Sequence, residues 1–282
     1  MSHDFSEGPL SSQLPSPSEI ATYYDRLLEG MGGEYIFERW GNSEIKRRHY
    51  RQTELAIGHV LDALPGLGDV LEIGCGPAVW TTLFLGQART VSLLDISEEM
   101  LSQARSRVEK WEAGRHANKV SYTCGDFIEL AVEERHYDTI VSARAFEYMS
   151  DKMAFVRKCF SSLRPGGTLV LVTKNKGWHD LTKRARAHVG VPRNEMSVSL
   201  AMQLDLVSWR DAIRMFESAG FSAARAYPVI LGSYDWSLLA SRPGLTFADL
   251  LHRLTYRRPI NPLTRLVDPV MESYSVVGTK PQ

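Results

Sequence analysis

The residues best placed to do chemistry stand where short apolar runs give out. Val70-Leu71-Glu72-Ile73 leads straight into Gly74-Cys75-Gly76-Pro77-Ala78. A glycine turn at the end of a strand lets a ligand come close to the backbone. Asp95 closes the next apolar run, 19 residues after Gly76, where a carboxylate can accept both hydroxyl protons of a ribose. Asp126 follows a third run, in Cys124-Gly125-Asp126-Phe127, placed to accept from an exocyclic adenine amine with Phe127 beside the ring. A dinucleotide fits these residues poorly. The third glycine of a GxGxxG turn falls on Val79, Pro77 removes a backbone donor, and Glu72 puts negative charge near the pyrophosphate position. An adenosyl ligand without phosphate and with a cationic end suits the set better, because such a ligand tolerates Glu72 nearby.

Those residues need a parallel sheet to bring them to one edge. From Val70 onward short apolar runs alternate with helical segments, as repeated strand-helix-strand units do. The pattern predicts strands at Val70 to Ile73, Thr90 to Asp95, Val120 to Thr123, Asp138 to Ala143 and Thr168 to Thr173, with helices between them. One helix begins at Ser97, with Glu98 and Glu99 in its first turn, and another aligns Met153, Val156, Phe160 and Leu163 before Arg164-Pro165-Gly166-Gly167 ends it. A helix over Ser208 to Ala219, closed by Gly220, precedes strand-like Ala223 to Ile230 and Tyr274 to Thr279, which suit an antiparallel pair at the sheet edge. Upstream, Ser16-Pro17-Ser18-Glu19 has the form of a capping box, and its helix ends at Gly30. A second helix opens at Asn42 or Ser43 and stops at Pro65-Gly66.

The expected architecture is α/β: a Rossmann-like, mostly parallel seven-stranded sheet with helices on both faces. Residues 1–15 form a disordered tail, because Ser and Pro cannot bury enough surface to offset ordering. Residues 16–66 form an N-terminal helical cap, and 67–282 a core with insertions at 175–207 and 231–272. The 282 residues carry 33 basic and 33 acidic side chains and 3 Cys, which excludes a disulfide-stapled or disordered protein and any whole-molecule attraction to a polyanion. The cysteines lack metal-ligand spacing, so no metal is expected. Without a signal-type or membrane-spanning segment, a cytoplasmic protein is the expectation.

The sequence resembles the class I S-adenosylmethionine-dependent methyltransferases through four ordered blocks: Glu72 to Gly76, Leu94 to Ser97, Gly125 to Phe127, and Tyr137-Asp138 to Asp151 leading into Leu163 to Gly167. Ala78 stands where the family's turn has a third glycine. The resemblance implies S-adenosylmethionine as cofactor. It places Gly74 and Gly76 along the methionine moiety, Asp95 on the ribose, Ile96 and Met100 on adenine, Asp126 and Phe127 at its edge, and Ala143 at the amino-acid end. It also implies an in-line displacement at the sulfonium methyl group, in which the protein mostly orients the reactants and excludes water.

Acceptor-binding residues are expected in the parts added to the core. In the cap, Tyr24 and Tyr35 are candidates to close over the cofactor. Glu147 and His179 are the candidate acid or base. Residues 174–193 carry Lys174, Lys176, Lys183, Arg184, Arg186 and Arg193 against Asp180 alone, which suits an anionic acceptor. The second insertion adds Tyr234, Trp236, Phe247, Tyr256 and Met271 with Arg253, Arg257 and Arg258, which suits a bulky acceptor, glycosylated or lipid-linked. The expected partner is a small molecule acted on at oxygen or nitrogen. A lipid-linked acceptor at a membrane surface and a non-catalytic cofactor-binding subunit are the alternatives. Nucleic acid is disfavoured, because Ser142-Ala143-Arg144-Ala145-Phe146 lacks an Asn-Pro-Pro-aromatic motif and the neutral charge gives no phosphate-tracking surface.

Overall fold

The structure is a computed structural model and describes residues 15–30, 35–112, 119–189, 205–232, 242–261 and 264–282. The expected tail lies outside the described residues up to position 14. Seven strands form one sheet: β1 (Asp69–Ile73), β2 (Thr90–Asp95), β3 (Lys119–Cys124), β4 (Tyr137–Ala143), β5 (Leu163–Lys174), β6 (Ser222–Leu231) and β7 (Met271–Thr279), in the order β3-β2-β1-β4-β5-β7-β6. The first five pair in parallel, while β7 runs antiparallel to both β5 and β6. The sheet is therefore mixed, with the expected antiparallel pair at its edge. Its parallel part carries the C-terminal ends of β1, β2, β3, β4 and β5 to one rim, the side on which open α/β sheets bind ligands.

Alternation along the strands explains why both faces are buried. Val70, Val141, Val170 and Val172 face one apolar layer, packed with Ile57, Val60 and Leu61 of α2 (Glu44–Asp62) and with Leu101 and Val108 of α3 (Glu98–Glu112). Leu71, Ile140, Leu169 and Leu171 face the other, packed with Phe155 and Val156 of α4 (Lys152–Ser162) and Phe216 of α6 (Trp209–Ala219). The helices start where short polar side chains satisfy their free N–H groups. Ser16 and Glu19 form a reciprocal box at α1 (Pro17–Gly30), and Ser43, Asp151 and Ser208 cap α2, α4 and α6. Gly220, at φ +102°, ends α6.

The chain departs from the expected pattern in four places. Between β1 and β2 the described residues hold only a short 3-10 turn, Thr81–Leu83, in place of a helix. Gly76 and Ala78 adopt left-handed φ values of +51° and +56° on either side of Pro77, which no α-helix accommodates. Between β3 and β4 the chain turns through residues 127–129 without a described helix, because the Asp126 carboxylate accepts from the Ile128 N–H at 2.9 Å. Helix α2 stops at Asp62, short of Pro65. Arg164 to Gly167 do not form a loop after α4: β5 begins at Leu163, and Gly166 and Gly167 exchange main-chain hydrogen bonds with Lys280 at 2.9 and 2.8 Å.

Both insertions carry helices. Helix α5 (Lys176–Val189) opens the first and α7 (Arg242–Thr255) lies in the second, while residues 190–204, 233–241 and 262–263 lie outside the described residues. At the N-terminal ends of the parallel strands, Asp69 accepts from Arg89, Thr90 and Arg164, and the Arg164 guanidinium also donates to Asp138 at 2.6 Å. That knot clamps β1, β2, β4 and β5 at the end away from the ligand-binding rim. At the rim, Ser97 donates to Asp25 at 2.6 Å and ties the cap helix α1 to the start of α3.

Candidate functional site

A cavity of about 1160 Å³, counting its open mouth, sits at the C-terminal rim of β1, β2 and β4 and is roofed by the cap. The floor is the turn after β1. Gly74 N–H and Cys75 N–H both donate to the Leu94 carbonyl, at 2.7 and 3.1 Å. Gly74 has φ +70°, and a Cβ there would lie 2.3 Å from the Cβ of Ala145, so the turn and the segment after β4 touch only because the position is glycine. A Cβ on Gly76 would meet only the Met100 sulfur, at 4.0 Å, so the space above Gly76 is open to a ligand.

Asp95 holds this floor in place. Its Oδ2 accepts from Gly76 N–H at 2.7 Å and its Oδ1 from Ser97 N–H at 3.0 Å. A carboxylate has about four acceptor directions, so acceptor capacity remains for a ligand in the cavity that Asp95 lines. Burial raises its pKa against the pull of those backbone donors. Ile96, Met100, Asp126 and Phe127 form the wall on the β2–β3 side, and Ala143 lines it at the end of β4. Phe127 also packs edge-on against Phe155, with ring centroids 5.3 Å apart, so it belongs to the core as well as to the wall. Tyr24 and Tyr35 reach the cavity from the cap, and Tyr24 meets Tyr148 at 5.8 Å between ring centroids.

Glu72 corrects the sequence reading. It does not line the cavity; it is 1% exposed beneath the turn and accepts from the Thr81 hydroxyl. Alternation along β1 puts it on the face of Val70, inside the protein. Burial pushes its pKa up to about 8, opposed by the Thr81 hydrogen bond and aided by Asp95. At neutral pH it is an uncharged acid and offers no negative charge to a ligand.

The two candidate bases sit differently. Glu147 reaches the wall, but its oxygens accept from Arg144 Nε at 3.1 Å and the Thr173 hydroxyl at 2.9 Å. Burial works to raise its pKa; the Arg144 and Lys174 charges, with the main-chain and Thr173 hydrogen bonds, outweigh it and hold the group below the usual carboxylate range. His179 lies in the first turn of α5, off the cavity wall, with Nε2 unpartnered among the described residues. Burial, then the Lys174 charge, lowers its pKa to about 4, so it is neutral there. Lys174 is 4% exposed and is pulled down to about 7 by burial and by Arg144.

Among the described residues the rest of the basic stretch does not build an acceptor pocket. Lys176, Lys183 and Arg184 point to solvent, and Arg193 and the side chains of Arg186 and His188 lie outside the described residues, as do Tyr234 and Trp236. Tyr256 stacks on His252 and Met271 is buried in the core, while Phe247, Leu250 and Leu254 of α7 are exposed. Sequence reasoning missed Arg39, Arg144 and Tyr148, all of which line the cavity. The i, i+4 spacing of Tyr35 and Arg39 was the available signal, since it puts both on one face of a helical turn.

Residues 70–167 match the sequence profile of a methyltransferase domain. A Mycolicibacterium smegmatis protein named a probable S-adenosylmethionine-dependent methyltransferase is 33% identical over 160 residues, 57% of this chain and 54% of that protein. The Priestia megaterium malonyl-[acyl-carrier protein] O-methyltransferase is 29% identical over 131 residues, 44% of this chain and 45% of the relative. The chain thus spans about half the length of these curated relatives. Magnesium protoporphyrin IX methyltransferase from Synechocystis PCC 6803, solved with S-adenosylhomocysteine, superposes with a TM-score of 0.58 at 16% identity, over 94% of this chain and 99% of that one. At that identity the likeness shows the fold.

The Glu72 environment has a measurable consequence. A group whose folded pKa is raised contributes stability below its unfolded value, 4.5, and loses it as the pH rises through about 8. Glu72→Gln keeps the shape and cannot ionise. Its stability relative to the natural chain should climb from near zero at about pH 4 to a plateau of up to roughly 5 kcal/mol by about pH 9. Urea unfolding at three pH values checks this; a difference that stays flat with pH would mean that Glu72 is ionised in the fold.

Proposed function

We propose, for a chain that carries a class I S-adenosylmethionine-dependent methyltransferase domain, that it transfers a methyl group to an oxygen or nitrogen of a small-molecule acceptor. The observation that carries this reading is the convergence on one cavity of a glycine floor, a buried carboxylate with free acceptor directions, and the Asp126-Phe127 wall. The fit to S-adenosylmethionine rests on the same features. The space above Gly76 admits a chain passing close to the backbone, and Asp95 is a ready acceptor for a ribose diol. No phosphate-binding helix N-terminus follows β1 among the described residues, and a ligand without phosphate needs none.

When bound, the cofactor supplies an activated methyl group on a cationic sulfur. The chain's task is to bind, orient and dry the site. Asp95 and the Gly74–Gly76 turn fix the position of the donor, while Asp126 and Phe127 fix its rotation. Pro15 and, from the cap, Ile20, Tyr24 and Trp40 cover the opening and limit water. Orientation at near-attack distance supplies much of the acceleration in such sites, about 7 to 11 kcal/mol at best. The reading needs no metal.

Asp95→Asn should lower the affinity for S-adenosylhomocysteine about tenfold or more by calorimetry, because an amide turns donors toward the ribose hydroxyls. An unchanged affinity in a variant with an unchanged melting temperature would remove Asp95 from the site. Binding of S-adenosylhomocysteine without label transfer to any acceptor would favour the non-catalytic alternative.

A second reading is favoured by α7. Phe247, Leu250 and Leu254 are 57%, 55% and 61% exposed at i, i+3 and i+7, with Arg253, Arg257 and Arg258 exposed nearby. An apolar stripe edged with arginine suits an anionic membrane surface, and with it a lipid-linked acceptor. Sedimentation with anionic vesicles at low salt should pellet the natural chain but not a variant with all three apolar residues changed to Ser. Equal recovery in the supernatant for both would reject this reading.

A further inference from the structure

The start of β7 carries a charge that the fold leaves without a hydrogen bond. Glu272 is 9% exposed, and its Oε2 is buried and accepts no hydrogen bond among the described residues. Its ion pair with His49 Nε2 of α2 spans 3.7 Å, too long for a hydrogen bond. Burial works to raise the pKa of Glu272; the charges of His49, Arg144, His179 and Lys174 outweigh it and hold the carboxyl below its ordinary value, so the group is ionised. A Cβ on Gly232 would lie 2.9 Å from Oε2, so only glycine there leaves the carboxylate its place. A buried carboxylate that no donor reaches is costly, and a ligand that donates to it removes the cost.

His179 approaches the same carboxylate from α5. Asn175 N–H donates to the Glu272 carbonyl at 2.8 Å, and His179 N–H donates to the Asn175 carbonyl at 3.2 Å, so the first turn of α5 is stitched to the start of β7. His179 Nε2 is also buried without a hydrogen bond among the described residues. Each group shifts the pKa of the other, yet the two form no hydrogen bond. The carboxylate only accepts; the imidazole, neutral with its pKa lowered to about 4, has one donor and one acceptor nitrogen. A single group that both donates and accepts satisfies the two at once.

This pair stands outside the donor's part of the cavity. On the methyl-transfer reading Asp95 meets the ribose, and Arg39, which has no ion pair among the described residues, meets the amino-acid end. In the order β4-β5-β7 Glu272 begins a strand two spacings from Ala143 at the end of β4, roughly 10 Å. Lys174 ends β5 opposite Ser273, and Thr173 beside it donates to Glu147 of the cavity wall. Arg144, also on that wall, acts on Glu272, His179 and Lys174 alike. Glu272 and His179 therefore lie behind the wall, on the side away from Asp126 and Phe127.

We propose that Glu272 and His179 hold an uncharged hydroxyl of the acceptor, remote from the atom that is methylated, an inference that rests on the methyl-transfer reading above. The hydroxyl donates to Glu272 Oε2 and accepts from His179 Nε2–H. Its bond to an ionised acceptor is of the stronger, charge-assisted kind. An anionic group has no proton to donate and meets the like charge of Glu272. An ammonium donates, but it joins Lys174 and Arg144, the cations already acting on this carboxylate. A hydroxyl carries neither penalty. Because the contact is the same before and during methyl transfer, it stabilises bound acceptor and transition state equally. Glu272 thus selects the acceptor and takes no part in the chemical step.

The test uses the full chain and four phenols with different tails. Tyrosol ends in a hydroxyl, tyramine in an ammonium and 4-hydroxyphenylacetate in a carboxylate, while 4-ethylphenol has no polar end. Calorimetry on protein saturated with S-adenosylhomocysteine should rank tyrosol first, about tenfold ahead of 4-ethylphenol. Transfer from methyl-labelled S-adenosylmethionine should show the same ratio in KM at similar kcat. Glu272→Gln should raise the Kd and KM of tyrosol about tenfold or more with kcat within about threefold, the pattern of lost uniform binding. It should leave 4-ethylphenol and S-adenosylhomocysteine unchanged and tighten 4-hydroxyphenylacetate, whose repulsion it removes; a packing role would not move that ranking. His179→Asn should weaken tyrosol and spare 4-ethylphenol, and it carries the test should Glu272→Gln fail to fold.

Three results would overturn the proposal while leaving methyl transfer intact. One is equal affinity for tyrosol and 4-ethylphenol, or a preference for tyramine or 4-hydroxyphenylacetate. Another is no phenol bound although S-adenosylhomocysteine binds. The third is variants that lower the melting temperature but keep the ranking of the four phenols, which would leave water as the only occupant. Failure of the natural chain to bind S-adenosylhomocysteine would instead overturn the methyl-transfer reading itself.

Discussion

The site depends on one carboxylate that works in two directions. Asp95 draws the Gly76 N–H and the Ser97 N–H onto its two oxygens, and so locks the turn after β1 to the start of α3. The same group faces the cavity. Its geometry is set by the backbone before any ligand arrives, and that preorganisation saves the ligand from ordering it. The left-handed φ of Gly76 and the contact of Gly74 with Ala145 are the conditions under which the turn can come that close. Pro77 and the left-handed Ala78 then deny the chain a helix, and the turn stays in place as a floor.

Electrostatics divide the cavity along the sheet order. The wall on the β2–β3 side is apolar apart from Asp95 and Asp126, while the β4 side gathers Arg39, Arg144 and three tyrosines. Glu72, neutral in the core, does not blur this division. The Arg144 and Lys174 charges lower the pKa of Glu147, which keeps Glu147 ionised and tied up rather than free as a base.

Most of the sheet was legible because buried parallel strands read as short apolar runs and their ends as glycine or acid. Val70 to Ile73 and Thr90 to Asp95 illustrate both features. The cap's first turn was legible from Ser16 and Glu19, whose side chains satisfy free N–H groups by local rules. Contacts set by tertiary geometry were not legible. Glu72 belongs to the buried face of β1, a fact carried by its register with Val70 rather than by its type. His179 and Glu147 were singled out by chemical type, but only the packing of α5 and of the segment after β4 decides which of them meets the cavity. Arg39 escaped notice because a lone arginine in a short helical turn gains meaning only from the absence of a partner in the fold.

The identity of the ligand above Gly76 decides what the cavity is for, and calorimetry of the full chain against S-adenosylhomocysteine and NAD measures it most directly. Saturable binding of S-adenosylhomocysteine with no heat from NAD is the predicted result. Uptake of NAD with no response to S-adenosylhomocysteine would contradict it.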